Sequence, residues 1–161
     1  MADLTYTNYA TVRRNATGTV PGKGDAANVK CVTATVELAA SASGVTTKAV
    51  RVPSNARIAG NSTIYWDDLA TSGSPTLDVG LGSVDSNVTS DPDALNDGLA
   101  ASSAGSSAVV KDVANYGKRA WEFVSGQTTD PCGELDVYVS VKDAATNAAG
   151  TVTVEMLYTV D

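Results

Sequence analysis

The sequence predicts an all-β protein built as an antiparallel sandwich or barrel. Three observations carry that expectation. Apolar residues recur at every second position in several short runs, the period of a strand with one buried face. Clusters of Gly, Ser, Asn, Asp and Pro separate the runs, as they do in sandwiches and barrels. Only 18% of the residues are charged, while Ala, Ser, Thr, Gly and Val abound. That mixture suits strands and tight connections better than long surface helices. With 161 residues, 43% of them apolar, the chain is long enough for one domain with its own core.

The elements follow in chain order. Residues 1–27 are polar and end among Gly18, Pro21, Gly22 and Gly24. They are expected to form an extended N-terminal arm, leaving residues 28–161 as the sandwich domain. Val32, Ala34, Val36 and Leu38 alternate with Thr33, Thr35 and Glu37 and mark a strand. Val50 and Val52 close another, which Pro53 stops because proline has no N–H for a ladder. Ile64 and Trp66 share one face of a strand over 62–67. Leu77, Val79 and Leu81 alternate with Asp78, Gly80 and Gly82.

Residues 84–107 are expected to form a long connection. Within it, Ser90 or Asp91 can cap a short helix through Leu95, with Pro92 in its first turn. The Ala, Ser and Gly run over 100–108 is expected to be mobile or fitted against a neighbour. Val109, Val110 and Val113 suggest a further strand, and Trp121 and Phe123 another. The clearest alternation comes last. Leu135, Val137, Val139 and Val141 form one strand, and Val152, Val154, Met156, Tyr158 and Val160 form its partner in a hairpin across 143–150. Leu157 interrupts the polar face of the final strand, so part of that face is expected to be covered.

The residues argue against catalysis. The chain has no histidine, which removes the commonest general base and the usual partner of a nucleophilic Ser or Cys. Asp67 and Asp68 are adjacent, so in a strand they point to opposite faces, and a strand-end or turn pair is the simpler reading. Asp91, Asp93, Asn96 and Asp97 place oxygens at a spacing that can hold calcium. Yet Leu95 occupies an intervening ligand position and no glutamate closes the loop. Helix capping and turn formation explain the cluster more simply, and no metal or other cofactor is expected. Cys31 and Cys132 lack the histidines and further cysteines of a zinc site and are expected to be unpaired thiols acting as small apolar residues. The Gly22-Lys23-Gly24 and Gly80-Leu81-Gly82 pairs do not continue into phosphate loops.

Charge is unevenly placed. Residues 1–57 carry seven basic and three acidic side chains, whereas 58–161 carry four basic and fifteen acidic. Either two faces meet different partners, or the strands mix the halves in space. The overall charge of −7 argues against nucleic acid as the main partner. No apolar run is long enough to span a membrane. The start, Met1-Ala2-Asp3-Leu4-Thr5-Tyr6, has no signal-peptide pattern, so a protein made and used in a cytoplasm, or released by lysis, is expected. Arg13 and Arg14, with Lys23, lie in the N-terminal arm. They favour an arm that orders on a partner over one that stays solvated. Among the nine aromatic residues, Tyr65, Trp66 and Trp121 are candidates for stacking on a sugar, although two Trp residues in such a chain more often belong to the core.

Several runs resemble small structural proteins of tailed phages. They are Pro53-Ser54-Asn55-Ala56-Arg57-Ile58, then Ile64-Tyr65-Trp66-Asp67-Asp68, then Thr76-Leu77-Asp78-Val79-Gly80-Leu81. The stretch from Ser90 to Leu99, the stretch from Lys111 to Glu122 and the end from Gly150 to Asp161 continue the likeness, which covers roughly residues 50–161. The chain is similar in this to capsid decoration, or cement, proteins. The resemblance implies a jelly-roll β-sandwich that sits as a homotrimer on the capsid exterior, bridges major capsid protein subunits and resists internal pressure. It also implies that the arm, with Arg13, Arg14 and Lys23, grips the shell. The runner-up is a carbohydrate-binding or host-adhesion module on the virion surface, using Tyr65, Trp66 and Trp121.

Overall fold

The computed structural model describes residues 29–38, 40–84 and 88–160. The arm assigned to residues 1–27, with Arg13, Arg14 and Lys23, lies outside the described residues. Among the described residues there are nine strands: β1 (Lys30–Glu37), β2 (Thr46–Pro53), β3 (Ala56–Ile58), β4 (Thr63–Trp66), β5 (Thr76–Ser83), β6 (Asp91–Ala100), β7 (Gly105–Ala108), β8 (Glu134–Lys142) and β9 (Thr151–Val160). One sheet runs β1-β9-β4-β7, with the short β3 also on β9, and the other runs β2-β8-β5-β6.

The pairing has a simple logic. β1 pairs with β9, β2 with β8, β4 with β7 and β5 with β6, all antiparallel. The chain is thus one long antiparallel ribbon folded over itself, with successive rungs placed in alternate sheets. Further pairs, β4 with β9 and β5 with β8, knit the rungs into the two sheets. This is the double Greek key of a jelly roll. The expected sandwich is present, in its jelly-roll form.

The alternation read from the sequence sets the inner faces. Val50 and Val52 of β2, Ile64 of β4, Leu77, Val79 and Leu81 of β5, Leu135, Val137, Val139 and Val141 of β8, and Val152, Val154 and Met156 of β9 all form the buried core between the sheets. Ser62 bridges the change of partner along β9, from β4 to β3. Its hydroxyl accepts from the Leu157 N–H at 2.9 Å, which the break would otherwise leave unpaired, and donates to the Leu157 carbonyl, which also accepts from the Ala59 N–H.

Five local expectations are corrected. The two C-terminal runs do not form a hairpin: β8 pairs with β2 and β5 in one sheet and β9 with β1 and β4 in the other, so residues 143–150 carry the chain from one sheet to the opposite one. Residues 90–95 are not a capped helix but the start of β6. Gly80 on β5 leaves room there, because a Cβ would run into the Asp91 carbonyl and the Pro92 backbone. The β5–β6 register also shifts between Val79 and Leu81, and such a bulge accommodates Pro92 in an edge strand. The small-residue run over 100–108 contains β7, which pairs with β4. The strand expected around Val109, Val110 and Val113 ends at Ala108 instead. Val109 and Val110 are buried just beyond it, and Val113 begins a 3-10 turn (Val113–Asn115) in which the Asp112 carboxylate accepts from the Ala114 N–H. Trp121 and Phe123 likewise lie in a 3-10 turn (Ala120–Phe123) rather than a strand. Glu122 accepts from the Arg119 N–H at 2.6 Å, a local cap that overrides the alternating pattern.

Candidate functional site

The three aromatic candidates do not form one platform. Trp121 sits in its 3-10 turn, where its backbone N–H donates to the Ser54 carbonyl at 3.1 Å. Its ring packs against the core, and its indole nitrogen is buried without an acceptor among the described residues. Tyr65 and Trp66 are neighbours in β4 and point to opposite faces. Trp66 pairs in register with Val152 and Gly105 and packs against the core. Its indole N–H is shared between the Ala100 and Ser103 carbonyls at 3.1 and 3.0 Å. Gly105 makes the space, since a Cβ there would meet the indole. Tyr65 alone is presented outward, with 47% of its surface exposed.

Tyr65 stands beside polar groups. Across the ladder it faces Thr153 on β9 and Ser106 on β7. Thr153 Oγ1 lies 2.8 Å from Thr35 Oγ1 on β1, extending the row of hydroxyls across the sheet. Asp67, two residues beyond Tyr65, accepts through Oδ2 from the Thr151 N–H at 2.7 Å and the Thr151 hydroxyl at 2.8 Å. Those two donors hold its carboxyl below the ordinary carboxylate value. Tyr65, Trp66, Asp67, Thr151 and Thr153 line an open recess of about 130 Å³.

The acidic candidates are held apart. Asp67 and Asp68 follow the end of β4, as a strand-end pair. Asp68 accepts from the Ala70 N–H at 3.1 Å through Oδ1, while Asp67 holds Thr151 through Oδ2. The suggested calcium ligands lie along β6 rather than in a loop or a helix cap. Asp91 accepts from the Ser125 N–H, Asn96 donates to the Ala108 carbonyl, and Asp97 lies 3.7 Å from the Lys111 ammonium. Among the described residues no three His, Cys, Asp or Glu side chains gather as a metal site. Cys31 and Cys132 are unpaired thiols, and both are exposed rather than packed as small apolar residues.

The outer face of the second sheet carries a charge cluster that the alternation did not reveal. Asp136, Tyr138 and Ser140 sit at outward positions of β8, yet all are buried. Lys48 and Arg51 of β2 fold over Asp136 at 2.7 and 2.8 Å. Lys48 also lies 6.0 Å from the centre of the Tyr138 ring, within reach of a cation–π contact. The only sequence signal for this cover is the pair of glycines on β5. A Cβ at Gly82 would collide with Tyr138 and Ser90.

No family model matches the chain, and no curated protein matches it. Among solved structures, the fold is similar to that of a chain in the cyanophage Pam1 capsid asymmetric unit. The likeness covers 89% of this chain and 92% of that one, at 21% identity and a TM-score of 0.55.

Proposed function

We propose that this chain is a structural protein of a phage virion, seated on the outer surface of the capsid and bridging major capsid protein subunits as a homotrimer. The observation that supports this reading is the jelly roll, similar over 89% of the chain to a protein of a phage capsid asymmetric unit. The motifs that resemble decoration proteins lie on that same body. The physics suits the task. One core ties both sheets together, and three modest contacts per trimer add through effective concentration, so that no single contact need be tight. The role is not enzymatic and uses no cofactor, nucleic acid or membrane. The sequence has no histidine, and Asp67 and Asp68 hold neighbouring backbone and hydroxyl groups. The site of action is the virion, after assembly in the host cytoplasm.

Capsids assembled without the protein test the proposal. Added protein should co-sediment with them, and alone in solution it should scatter light as about three times its chain mass. A monomer at micromolar concentration that fails to bind capsids overturns the reading. Removing residues 1–25 should leave the sandwich folded and weaken attachment. Full binding by the shortened chain would remove Arg13, Arg14 and Lys23 from the contact.

A further inference from the structure

We propose that the recess beside Tyr65 is a carbohydrate-binding site that takes one neutral pyranose ring, a function separate from any capsid contact. Tyr65 belongs to an interior strand, paired on one side with β9 and on the other with β7. Its ring therefore stands on a backbone fixed from both sides, yet 47% of the residue is exposed. A rigid aromatic face in that setting suits the apolar C–H face of a sugar.

The groups around the ring complete the complement. Asp67 follows two residues later and borders the same recess. Its Oδ2 is taken by Thr151, while its Oδ1 accepts no hydrogen bond from any described residue. An ionised carboxylate oxygen beside an aromatic ring is an acceptor for sugar hydroxyls, and such charge-assisted bonds are the stronger kind. The carboxylate disfavours acidic sugars. The Thr151 and Thr153 hydroxyls add polar groups at the rim. A recess of about 130 Å³ has room for a single ring, not a buried oligosaccharide. Binding at one copy is therefore weak, and many copies on one particle would raise its avidity.

Saturation-transfer NMR on the isolated protein tests the site without any capsid, so failure of the capsid reading and failure of this one are distinguishable. Glucose, galactose, mannose, rhamnose and N-acetylglucosamine are offered one at a time, up to about 50 mM. At least one should bind with a Kd on the order of 1–10 mM. Tyr65→Ala and Asp67→Asn should each weaken it about tenfold or more, and Tyr65→Phe should retain it. Asp67→Asn keeps an oxygen for Thr151 but gives up the charge those two donors favour, so that variant should stay folded and melt somewhat below the native protein, and its sugar binding is read well below that melt. Absence of binding by all five sugars, or binding unchanged by Tyr65→Ala and Asp67→Asn, overturns the proposal.

Discussion

Arg51 faces Asp136 across the β2–β8 pair, and its Nε donates to the Asp136 carboxylate at 2.8 Å. Lys48 approaches the other carboxylate oxygen at 2.7 Å, and Arg51 also reaches Glu134 at 3.5 Å. Here two cations from the basic first third of the chain meet two acids from the acidic remainder. The fold mixes the two charge blocks at this point, so the sequence asymmetry does not persist as two separate faces there.

Asp136 makes stability sensitive to acid. Burial pushes its carboxyl up, but hydrogen bonds from Arg51 and Lys48, with their charges, outweigh burial and leave it below the ordinary value. A carboxyl lowered in the folded state contributes its stability in full above the unfolded pKa of about 4 and loses it as pH falls through the folded value. Urea unfolding at neutral pH and near pH 3 should show that loss. Asp136→Asn should cost about 1–3 kcal/mol at neutral pH and shrink the acid-induced drop. An unchanged drop in the variant would remove Asp136 as its source.

Asp78 has the opposite sign. It is buried, and burial, the largest influence, raises its carboxyl. The Gly98 N–H lowers it, Asp97 raises it, Lys142 lowers it and Asp93 raises it, with a net upward shift. A raised carboxyl favours the fold below the unfolded pKa and weighs against it as pH climbs through the folded value. Asp78→Asn keeps an oxygen for the Gly98 N–H, which now bonds Oδ1 at 2.9 Å, and removes the charge. It should stabilise at neutral pH by up to about 1 kcal/mol, with the gain fading near pH 3. Destabilisation at neutral pH would show that the charge is favourable in place.

What the sequence made legible was the part fixed by period two. The inward residues of β5, β8 and β9 were readable because each inward side chain meets the opposite sheet. What it concealed was set by neighbours remote in sequence. β6 looks like a helix start because Ser90, Asp91 and Pro92 satisfy local capping rules, but glycines on β5 draw it into the sheet. Trp121 and Phe123 alternate like a strand, yet the local bond between Arg119 and Glu122 turns the chain. At the recess, Tyr65 was identifiable as a candidate. Its separation from Trp121 was not, because that depends on which segments pair.

Gly80 tests the account of β6. A Cβ there would overlap the Asp91 carbonyl and the Pro92 backbone, which cannot swing aside as a side-chain tip can. Gly80→Ala should therefore destabilise by about 1–3 kcal/mol in denaturant unfolding. Gly133→Ala is the control, since its Cβ would meet only the Pro131 carbonyl at 4.0 Å, and it should stay within about 0.5 kcal/mol of the native protein. Equal behaviour of the two variants would mean that β6 does not cross β5 this closely.

The two tryptophans offer a matched comparison. Replacement by Phe removes an indole N–H and some ring volume at either site. At position 66 the lost donor serves the Ala100 and Ser103 carbonyls, so those acceptors lose their partner and the change should cost about 1 kcal/mol beyond the packing loss. At position 121 the lost donor is buried without an acceptor among the described residues, so its removal relieves a desolvation cost and offsets part of the packing loss. Trp66→Phe should therefore destabilise more than Trp121→Phe in parallel thermal melts. The reverse order would mean that the Trp121 N–H has an acceptor in solution, such as an ordered water.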